Sequence, residues 1–574
     1  MKFKLRGKQT GNIVLDTLRN NGIKDIELLK KPTNDNTVHW SKYYNMIEVA
    51  NIIVDAIANK KEFTIIVDED LDGLTSSYIL YKYLKHFGVN IQYLFHEKNK
   101  VHGLTEDVMR KINPNNIVLI PDAGSNDYEQ LEILAKTKTV CIIDHHEIED
   151  EDRLYGIVNV FCVNNQSTRN MESNKNLTGV GMVYRLLQAL DHLTNINRAD
   201  EHLFEVAVGQ ISDVCNLVDN EIRYLVMNGL KQPKSHLFCK LLEDKLQNKG
   251  DKIQVLPSDI GYGLAPKYNA LLRVGTLEER TRAFEILCDE NVHKQIVKKP
   301  SKSRKTGKIT FKQVEEGDYA NLLKLLNKKK KQQKEIVDNI KNKMGTPLGE
   351  GISIGIQTEG VGGLSGLIAG VLARDTKKPS LLITPNVDGL YNGSGRGRQD
   401  IVRDFKAWIN GVDNTIEVLG HDNAFGVRNL SQEQLNKLVE ASKDLKAPST
   451  YIVEVDAIVS PLTSNHLIQV DSNKELFGNG NEAPLIGTEF HIDANKVKYY
   501  EKYGFASIQM NGYQIVIYNL DEKVDIDLFL KAVENHKTIK VEATGKANRT
   551  FFAGRETLQF QVVDLEFNYL DYFF

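Results

Sequence analysis

Long hydrophobic runs are missing from the sequence. No stretch approaches the roughly 18 consecutive apolar residues that a membrane-spanning helix needs. The residues after Met1, KFKLRGKQTGN, mix charged and polar side chains, whereas a secretory signal has an apolar centre. We therefore expect a cytoplasmic protein with no membrane partner.

Cysteine is also scarce, with five residues in a chain of 574. The number is odd and no pair has the Cys-x-x-Cys spacing, so no disulfide framework is recognisable and a reducing compartment is favoured. The cysteines are Cys141, Cys162, Cys215, Cys239 and Cys288.

A strong net charge is the third absence. The net charge is −3, with 26% charged and 41% hydrophobic residues, so the bulk composition gives no nucleic-acid signal and any basic surface must be local. The length predicts about three or four domains of roughly 100–200 residues, each able to bury a core of its own. No internal repeat is evident.

What the sequence does contain is an alternation of short apolar runs and helix-like segments. The runs are rich in β-branched residues and are separated by helical patterns such as 73–87 and 128–136. This alternation predicts an α/β domain with a parallel sheet. The runs are FTIIV (63–67), IQYLF (91–95), IVLIP (117–121) and TVCII (139–143).

The composition changes between residues 291 and 345. The stretch KKPSKSRKTGK (298–308) is basic and rich in turn residues, which predicts an exposed loop. Further along, the 26 residues 319–344 read as one long helix, which is either a solvated linker or a basic strut that faces DNA. Its apolar positions are Leu322, Leu326, Ile336, Ile340 and Met344.

Two further patterns complete the chain. GISIGIQ, the glycine-rich GVGGLSGLIAGVLA and SLLIT predict a second, smaller α/β domain after residue 346. From about residue 450 onward, alternating strands with few helices are typical of a small β-barrel.

Carboxylates and imidazoles follow the ends of the predicted strands and of one later helix. Because residues just past the carboxyl ends of parallel strands meet in one crevice, we expect these side chains to lie together. So many carboxylates would repel one another without cations, and oxygen plus imidazole ligands suit Mn²⁺, Mg²⁺ or Zn²⁺. The residues are Asp68, Asp70, Asp72, Asp122, Asp144, His145, His146 and Asp213.

These stretches resemble the motifs of the DHH phosphoesterase superfamily and, within it, of the RecJ single-strand-specific exonucleases. The resemblance covers roughly residues 45–565. Its motifs are VDEDLDGLTSS, PDAGSND, IIDHHE and ISDVCNLVDNEIRYLVMNGL, together with LTGVGMVYRLL and IGYGLAPKYNALLRVG.

The resemblance implies two divalent ions, with Mn²⁺ favoured and Mg²⁺ the alternative. Asp144 would orient the histidines and His146 would contact the scissile phosphate. One ion would be held by Asp68, Asp70 and Asp122, and the other by Asp72, Asp122, His145 and Asp213, with Asp122 bridging. Such a pair would acidify a shared water and stabilise the charge of the transition state.

The resemblance also implies substrate-binding residues. Asn269, Ala270 and Arg273 match an Asn-Ala-x-x-Arg stretch of the family. GSGRG, with Ser394 and Arg396, is similar to the phosphate-binding motif of the family's second domain, where Gly397 replaces a usual serine. LGHDNAFG supplies His421 and resembles a Gly-Gly-His element whose first glycine is Leu419 here.

The last part of the chain is similar to the oligonucleotide-binding (OB) barrel of RecJ. ELFGNGNEAPLIG (475–487) and NRTFFAGRETLQFQVVDLE (548–566) carry this resemblance, with Phe551, Phe552 and Arg555 as candidates for strand binding or barrel packing. The arginine before the family's Gly-Tyr-Gly-Leu loop has no clean match, and Lys98 or Lys100 is the candidate substitute. The tail LDYFF is either a partner-binding peptide or a packed terminus, and we favour the terminus.

The expected architecture has five parts. They are an N-terminal extension (1–45), a parallel-sheet DHH catalytic domain (46–290), a basic linker with the long helix (291–345), a DHH-associated substrate-binding α/β domain (346–445) and an OB-type barrel (446–574).

The function implied is a metal-dependent 5′-to-3′ exonuclease that hydrolyses single-stranded DNA to mononucleotides in repair, recombination or replication. We expect a monomer, with a single-strand-binding protein or a helicase as candidate partner. Two alternatives stay open. One is a DHH phosphodiesterase for short oligoribonucleotides or cyclic dinucleotides. The other is a replication scaffold, which the complete set of ligand positions disfavours.

Overall fold

The computed structural model describes most of the chain. The described residues are 2–97, 102–231, 238, 241–242, 255–288, 294–302, 309–357, 362–398, 401–445, 452–493, 496–535, 538–552 and 555–566. Lys98, Lys100 and the LDYFF tail, which the sequence analysis singled out, lie outside them.

Strands and helices alternate in the first half of the chain, and strands dominate the last third. The strands are β1 (Lys2–Leu5), β2 (Phe63–Ile66), β3 (Ile91–Leu94), β4 (Ile117–Pro121), β5 (Val140–Asp144), β6 (Val160–Asn164), β7 (Lys294–Lys302), β8 (Ile309–Gly317), β9 (Ser353–Ile356), β10 (Ser380–Pro385), β11 (Tyr391–Arg396), β12 (Glu417–His421), β13 (Ala424–Leu430), β14 (Ile452–Val455), β15 (Ala457–Ile458), β16 (Ile486–Asp493), β17 (Val497–Tyr500), β18 (Phe505–Gln509), β19 (Gln514–Tyr518), β20 (Thr538–Phe552) and β21 (Arg555–Glu566). The helices are α1 (Ile13–Asn20), α2 (Ile26–Lys30), α3 (Met46–Ala58), α4 (Leu71–Lys85), α5 (Glu106–Met109), α6 (Tyr128–Leu134), α7 (Glu151–Gly156), α8 (Gly179–Thr194), α9 (Leu203–Ser212), α10 (Asn220–Gly229), α11 (Ala265–Val274), α12 (Leu277–Leu287), α13 (Asp318–Lys343), α14 (Ser365–Thr376), α15 (Phe405–Val412), α16 (Gln432–Ala441), α17 (Ser464–Asp471), α18 (Leu520–Lys523) and α19 (Ile526–Asn535). Among these helices, none combines the length and the apolar character that crossing a membrane requires.

The chain forms two compact units. Unit I contains Met1–Val38, Val214–Ile260 and Thr450–Phe574, and unit II contains His39–Asp213 and Gly261–Ser449. The carboxylates, histidines and arginines predicted to form the site all belong to unit II.

The predicted parallel α/β sheet is confirmed in unit II. Its five strands have the order β3-β2-β4-β5-β6, and every neighbouring pair is parallel. Every residue of β2, β4 and β5 is buried, as expected when helices cover both faces of a sheet. Because the strands are parallel, their carboxyl ends lie along one edge, and the site residues follow those ends.

A second sheet of unit II has the order β12-β13-β11-β10-β9. Only β9 and β10 in this sheet are parallel, joined through α14, and the remaining pairs are antiparallel. The phosphate-binding candidates Ser394 and Arg396 lie on its central strand β11. Residues of α13 and α14 pack together beside this sheet, around Val337, Ile368 and Leu382.

The long helix is confirmed, but the loop predicted before it is partly wrong. β7 extends through Lys302 and pairs with β8 in an antiparallel ribbon, while residues 303–308 lie outside the described part. Backbone pairing between the two strands needs no apolar composition, so the basic sequence misled the prediction. Pro300 is tolerated because each strand of a two-stranded ribbon has an outer edge.

Unit I contains a seven-stranded sheet with the order β15-β16-β20-β21-β19-β18-β17. Most neighbouring pairs are antiparallel. No pairing between the outer strands β15 and β17 closes this sheet in the described part of the chain, so the predicted OB barrel is not confirmed. β15 has only two residues, which is too short for a full closing ladder. Residues of the N-terminal extension also belong to unit I, because β1 pairs in parallel with β14.

Candidate active site

The turn after β2 supplies the first two carboxylates. Asp70 is the N-cap of α4 and accepts a hydrogen bond from Gly73 N at 3.0 Å. Asp68 is buried next to it. A Cβ on Gly73 would collide with Asp68, so glycine at this position allows the turn to fold back against the helix.

Asp72 lies in the first turn of α4 and points at the start of α8. Its carboxylate accepts hydrogen bonds from Gly179 N at 2.8 Å and Val180 N at 3.2 Å, which satisfies amides that α8 itself leaves unpaired. A Cβ on Gly179 would collide with Asp122, and one on Gly209 would collide with Asp72. The two glycines therefore let α8 and α9 approach the carboxylates closely.

Asp122 follows β4 and has a left-handed backbone, with φ of 68°. Such a conformation is uncommon outside glycine, although Asp tolerates it better than most residues. The amide of Asp122 donates to Ile143 O at 2.8 Å, so β5 holds the turn in place. The side chain is 2% exposed, and its Oδ1 accepts no hydrogen bond from the described residues.

The Asp-His-His stretch ends β5. The buried Asp144 accepts from Ser125 N at 3.1 Å and from His145 N at 2.7 Å, and lies 2.7 Å from His146 Nδ1. His145 turns the other way, with its Nε2 3.2 Å from Asp122 Oδ1 and 3.9 Å from Asp213 Oδ2. Asp144 therefore holds the two histidines through its hydrogen bonds without facing the other carboxylates.

Three groups of side chains each bring one oxygen or nitrogen atom per residue within 4.8 Å of one another. The groups share Asp122 and His145, so they form one continuous cluster. They are Asp68, Asp70 and Asp122; Asp72, His145 and Asp213; and Asp122, His145 and His146.

Several carboxylates of this cluster have raised pKa values, so ionising all of them without a cation is unfavourable. Burial, followed by repulsion from Asp72, raises the pKa of Asp122 well above its usual value. Burial and Asp213 do the same to the pKa of Asp72. Burial and Asp70 raise the pKa of Asp213 to about 7, although the outer side of that carboxylate remains exposed. Divalent cations would remove this repulsion.

The histidines differ in charge. Burial, helped by the charge on His146, lowers the pKa of His145 to about 3, so its imidazole is neutral and able to act as a metal ligand. Burial acts to lower the pKa of His146, but Asp144 outweighs it and raises that pKa. Burial acts to raise the pKa of Asp144, but His146 outweighs it, and the pKa is well below its usual value.

The donor set fits divalent cations. A buried carboxylate oxygen of Asp122 without a hydrogen-bond donor, surrounded by carboxylates whose ionisation is suppressed, is what a cation site looks like without its ion. Oxygen and imidazole donors without thiolates suit Mn²⁺ and Mg²⁺.

Two predicted substrate-binding residues lie on α11. Asn269 Oδ1 accepts a hydrogen bond from Leu71 N at 3.1 Å, so this side chain is engaged with the first turn of α4. Arg273 lies one helical turn further on. Burial lowers its pKa, whereas the charge of Asp70 acts to raise it, which places the guanidinium within electrostatic reach of the carboxylates.

The second sheet brings Arg396 toward the same place. Burial and then Arg273 lower the pKa of Arg396, so the two guanidinium groups lie within electrostatic reach of each other. Arg396 packs against Gly366 in the first turn of α14, where a Cβ would collide with it. Ser394 Oγ is 2.8 Å from Ser365 Oγ. His421 ends β12, and its side chain is outside the described part, as are those of Phe551, Phe552 and Arg555 in β20 and β21.

The comparisons with known proteins agree with this geometry. A family model described as "DHH family, N-terminal domain" matches residues 62–209. A protein of Bacillus subtilis (strain 168) is 30% identical over 99% of this chain and 98% of its own length. Its name describes it provisionally as a single-strand DNA-specific exonuclease, YorK, derived from the SPbeta prophage.

The chain belongs to the RecJ-like branch of the DHH family.

RecJ from Thermus thermophilus, named a single-stranded-DNA-specific exonuclease, is 26% identical over 43% of this chain and 36% of that protein. Its crystal structure in complex with Mn²⁺ has a TM-score of 0.68 to this RecJ-like chain and 18% identity, and covers 97% of this chain and 76% of that one. The structure with Mg²⁺ gives a TM-score of 0.63. At this identity, the superpositions establish the shared fold.

His102 of this RecJ-like chain also contacts the site and was not predicted from the sequence. Its Nδ1 lies 2.9 Å from Asp68 Oδ1, and its ring is 4.5 Å from the ring of His146 in an edge-to-face arrangement. Burial acts to lower its pKa, but Asp68 outweighs it and raises the pKa to about 10. The stretch HEKNKVHGLTED contains this histidine, but nothing in its spacing relates it to Asp68.

A buried ion pair next to the site was also missed. Arg280 of α12 pairs with Glu69, and both side chains are at most 1% exposed. Arg280 also donates to His96 O at 3.0 Å and Glu97 O at 3.3 Å, while His96 Nε2 lies 2.7 Å from Gly103 O. Arg280 thus connects the carboxylate-bearing turn to the two ends of the segment that carries His102.

Proposed function

We propose that this chain is a metal-dependent exonuclease that hydrolyses single-stranded DNA from the 5′ end and releases mononucleotides. The observation that carries the proposal is the continuous cluster of ligand groups at the carboxyl ends of β2, β4 and β5. Two relatives named single-strand DNA-specific exonucleases support the choice of substrate.

Two divalent ions, Mn²⁺ or Mg²⁺, fit the ligand groups. Asp68, Asp70 and Asp122 would hold one ion, and Asp72, His145 and Asp213 the other, with Asp122 able to bridge. Such ions, when bound, lower the pKa of a water and neutralise charge on a phosphoryl group. Burial of the ligands keeps their oxygens oriented before the substrate arrives.

The remaining residues orient the substrate. Because Asp144 holds His146 by Nδ1, the other ring nitrogen is available to a phosphate, and 43% of that side chain is exposed. Arg273 and Arg396 lie within electrostatic reach of each other and would bind the phosphates of the strand, since a guanidinium offers paired donors to phosphate oxygens. Ser394 would add a hydroxyl donor.

The same proposal extends to unit I and to the assembly. Its seven-stranded sheet would hold single-stranded DNA as OB-type domains do, through a cationic groove and stacked aromatic rings. The proposal also keeps the division into five parts expected from the sequence, a monomeric state and a cytoplasmic location. It further includes recruitment by a single-strand-binding protein or a helicase, and a role in repair, recombination or replication.

The test is a timed digest of two single-stranded DNA oligomers, one labelled at the 5′ end and one at the 3′ end, with Mn²⁺. Their duplex and an RNA of the same sequence run in parallel. We expect immediate release of a labelled mononucleotide from the 5′-labelled strand and late release from the 3′-labelled strand. Cleavage of only the RNA or of a cyclic dinucleotide would replace the proposal with the smaller-substrate phosphodiesterase.

Two matched variants assign the activity to the site. Asp122→Asn keeps the shape of the side chain but removes the shared charge, so hydrolysis should be lost. Asp55→Asn, on the exposed face of α3, makes the same chemical change away from the site and should leave the digest unchanged. A wild-type protein that binds Mn²⁺ but cuts none of the substrates would instead support a scaffold.

A further inference from the structure

Helix α13 has one structural face and one face without a role in the proposed site. The structural face packs on α11, α12 and α14 and includes a buried lysine. The buried residues recur at helical spacing and are Leu322, Leu326, Lys329, Gln333 and Val337.

The buried lysine shows what a structural role looks like in this helix. Lys329 is 5% exposed, and its Nζ lies 2.5 Å from Glu279 Oε2. Lys324, Lys330 and Lys334 are exposed, and the described side chains offer none of them a carboxylate within ion-pair distance. We call these three residues the lysine face.

Repulsion between neighbouring lysines lowers the stability of the isolated helix. Lys330 and Lys334 are four residues apart, as are Lys324 and Lys328, and like charges at this spacing destabilise a helix by about 0.2–0.5 kcal/mol per pair. One opposite-charge pair, Lys331 with Glu335 at 3.4 Å, offsets part of this cost. The overall net charge of −3 does not explain why positive charge concentrates here.

The ribbon that leads into α13 repeats the pattern. The described residues of the ribbon, 294–302 and 309–317, include five basic and two acidic residues. In the backbone register, Lys299 stands opposite Lys312. β8 ends at Gly317 and α13 begins at Asp318, so ribbon and helix form one continuous basic segment.

This segment belongs to the unit that carries the site. The apolar side of α13 packs against Val274, next to Arg273, and against Leu364 and Ile368 around the first turns of α14. The lysine face is therefore fixed relative to the carboxylate cluster, and it lies on a different element from Arg273 of α11 and Arg396 of β11.

We propose that the lysine face binds the sugar-phosphate backbone of the DNA strand beyond the nucleotides held at the site. The inference rests on the proposed function for its choice of occupant, because a nuclease of single strands must hold more strand than it cuts in one step. The charge of a phosphate backbone complements the unpaired lysines, and neutralising it releases counterions. Solvation of an ordinary charged helix is the competing explanation.

The test compares two triple variants that remove the same charge. K324Q/K330Q/K334Q alters the lysine face. K60Q/K61Q/K136Q alters exposed lysines in the turns before β2 and β5, at the end of the parallel sheet opposite to the carboxylates. Each variant also carries D122N, so that the strand is bound without being cut. Thermal unfolding of both proteins checks that the fold is retained.

Binding of a long single strand is measured over a salt series. Each phosphate contact contributes a slope of about 0.7 in log K against log salt for single strands, so loss of the lysine face should reduce the slope by up to about 2. The control should keep the wild-type slope. Equal slopes and affinities for the two triple variants would overturn the inference.

A short strand separates this inference from the proposed function. Without D122N, the lysine-face variant should cut a strand no longer than one OB-type site, roughly 4–16 nucleotides, at the wild-type single-turnover rate. A loss of that rate would place the lysines in the reaction and refute an external binding role. If the wild type cuts no substrate, but removal of the lysine face still reduces the salt slope, the proposed nuclease activity would be refuted. The proposed binding surface would then stand.

Discussion

Replacing Arg280 should reveal how strongly the buried ion pair supports the site. Arg280 and Glu69 are paired with almost no exposure, and Glu69 lies between the ligand candidates Asp68 and Asp70. Burial lowers the pKa of Arg280 to about 10, so it remains charged at neutral pH. Arg280→Met would keep most of the side-chain volume and remove the charge.

The magnitude follows from what remains behind. Glu69 would be left charged and buried, and removing one partner of a buried pair costs about 3–5 kcal/mol. The carbonyls of His96 and Glu97 would lose their donor, at about 1–3 kcal/mol for each buried acceptor that water does not reach. We expect the free energy of unfolding to fall by at least about 3 kcal/mol.

A second substitution separates the charge from the carbonyl contacts. Glu69→Gln removes the charge that Arg280 had compensated, so Arg280→Met with Glu69→Gln should be more stable than Arg280→Met alone, by about 2 kcal/mol. Both tryptophans, Trp40 and Trp408, belong to unit II, so tryptophan fluorescence during urea unfolding reports on the unit that contains the pair. The measurement is made without metal.

Metal affinity is the readout that general destabilisation would not change. Leu154→Ala, in the core beneath the parallel sheet, should cost about 2–5 kcal/mol, a similar amount. Its Mn²⁺ affinity should match the wild type, whereas Arg280→Met should bind Mn²⁺ more weakly because the turn with Asp68 and Asp70 loses its support. A loss below about 1 kcal/mol, or an unchanged Mn²⁺ affinity in Arg280→Met, would refute this reasoning.

Three further predictions concern the metal centre. Mn²⁺ at a hundredfold excess over its Kd should stabilise the wild type by about 2.7 kcal/mol and raise its Tm, and Asp122→Asn should abolish the Mn²⁺-dependent part of that shift. His102→Ala should weaken Mn²⁺ binding by about 10–100-fold in calorimetry, because Asp68 loses the contact that orients it, and His102→Asn should restore part of it. Mn²⁺ affinity should fall as the pH drops, since Asp213, Asp72 and Asp122 must lose their protons to bind, and Asp213→Asn should remove the part of that dependence near pH 7; a pH-independent wild type would contradict the raised pKa values.

The parallel sheet and the carboxylate cluster could be predicted because their signals are local. β2, β4 and β5 are continuous apolar runs, and the site residues follow them directly in sequence, so strand order did not need to be known. The same rule of parallel strands brought Asp68 and Asp122 to one edge of the sheet.

The contacts of His102 and Arg280 could not be predicted because they join segments that are distant in sequence. Arg280 is 211 residues from Glu69, and neither its helix nor its spacing distinguishes it from Arg282, the other arginine of α12. The ribbon was misjudged for a related reason. Pairing of β7 with β8 depends on backbone hydrogen bonds, which low hydrophobicity and Pro300 do not prevent.

The order in which metal and DNA bind follows from the charges. Five aspartates lie in the cluster, Arg273 is within electrostatic reach of Asp70, and Arg396 is within reach of Arg273, so a phosphate near Arg273 is attracted by the arginines and repelled by the aspartates. Two like charges about 4 Å apart repel by about 4 kcal/mol at an effective dielectric of about 20. Without cations the raised pKa values leave part of the carboxylates protonated, but those that are ionised still repel the phosphate. Metal should therefore bind first, and Arg396 should contribute to strand affinity only once the carboxylates are neutralised.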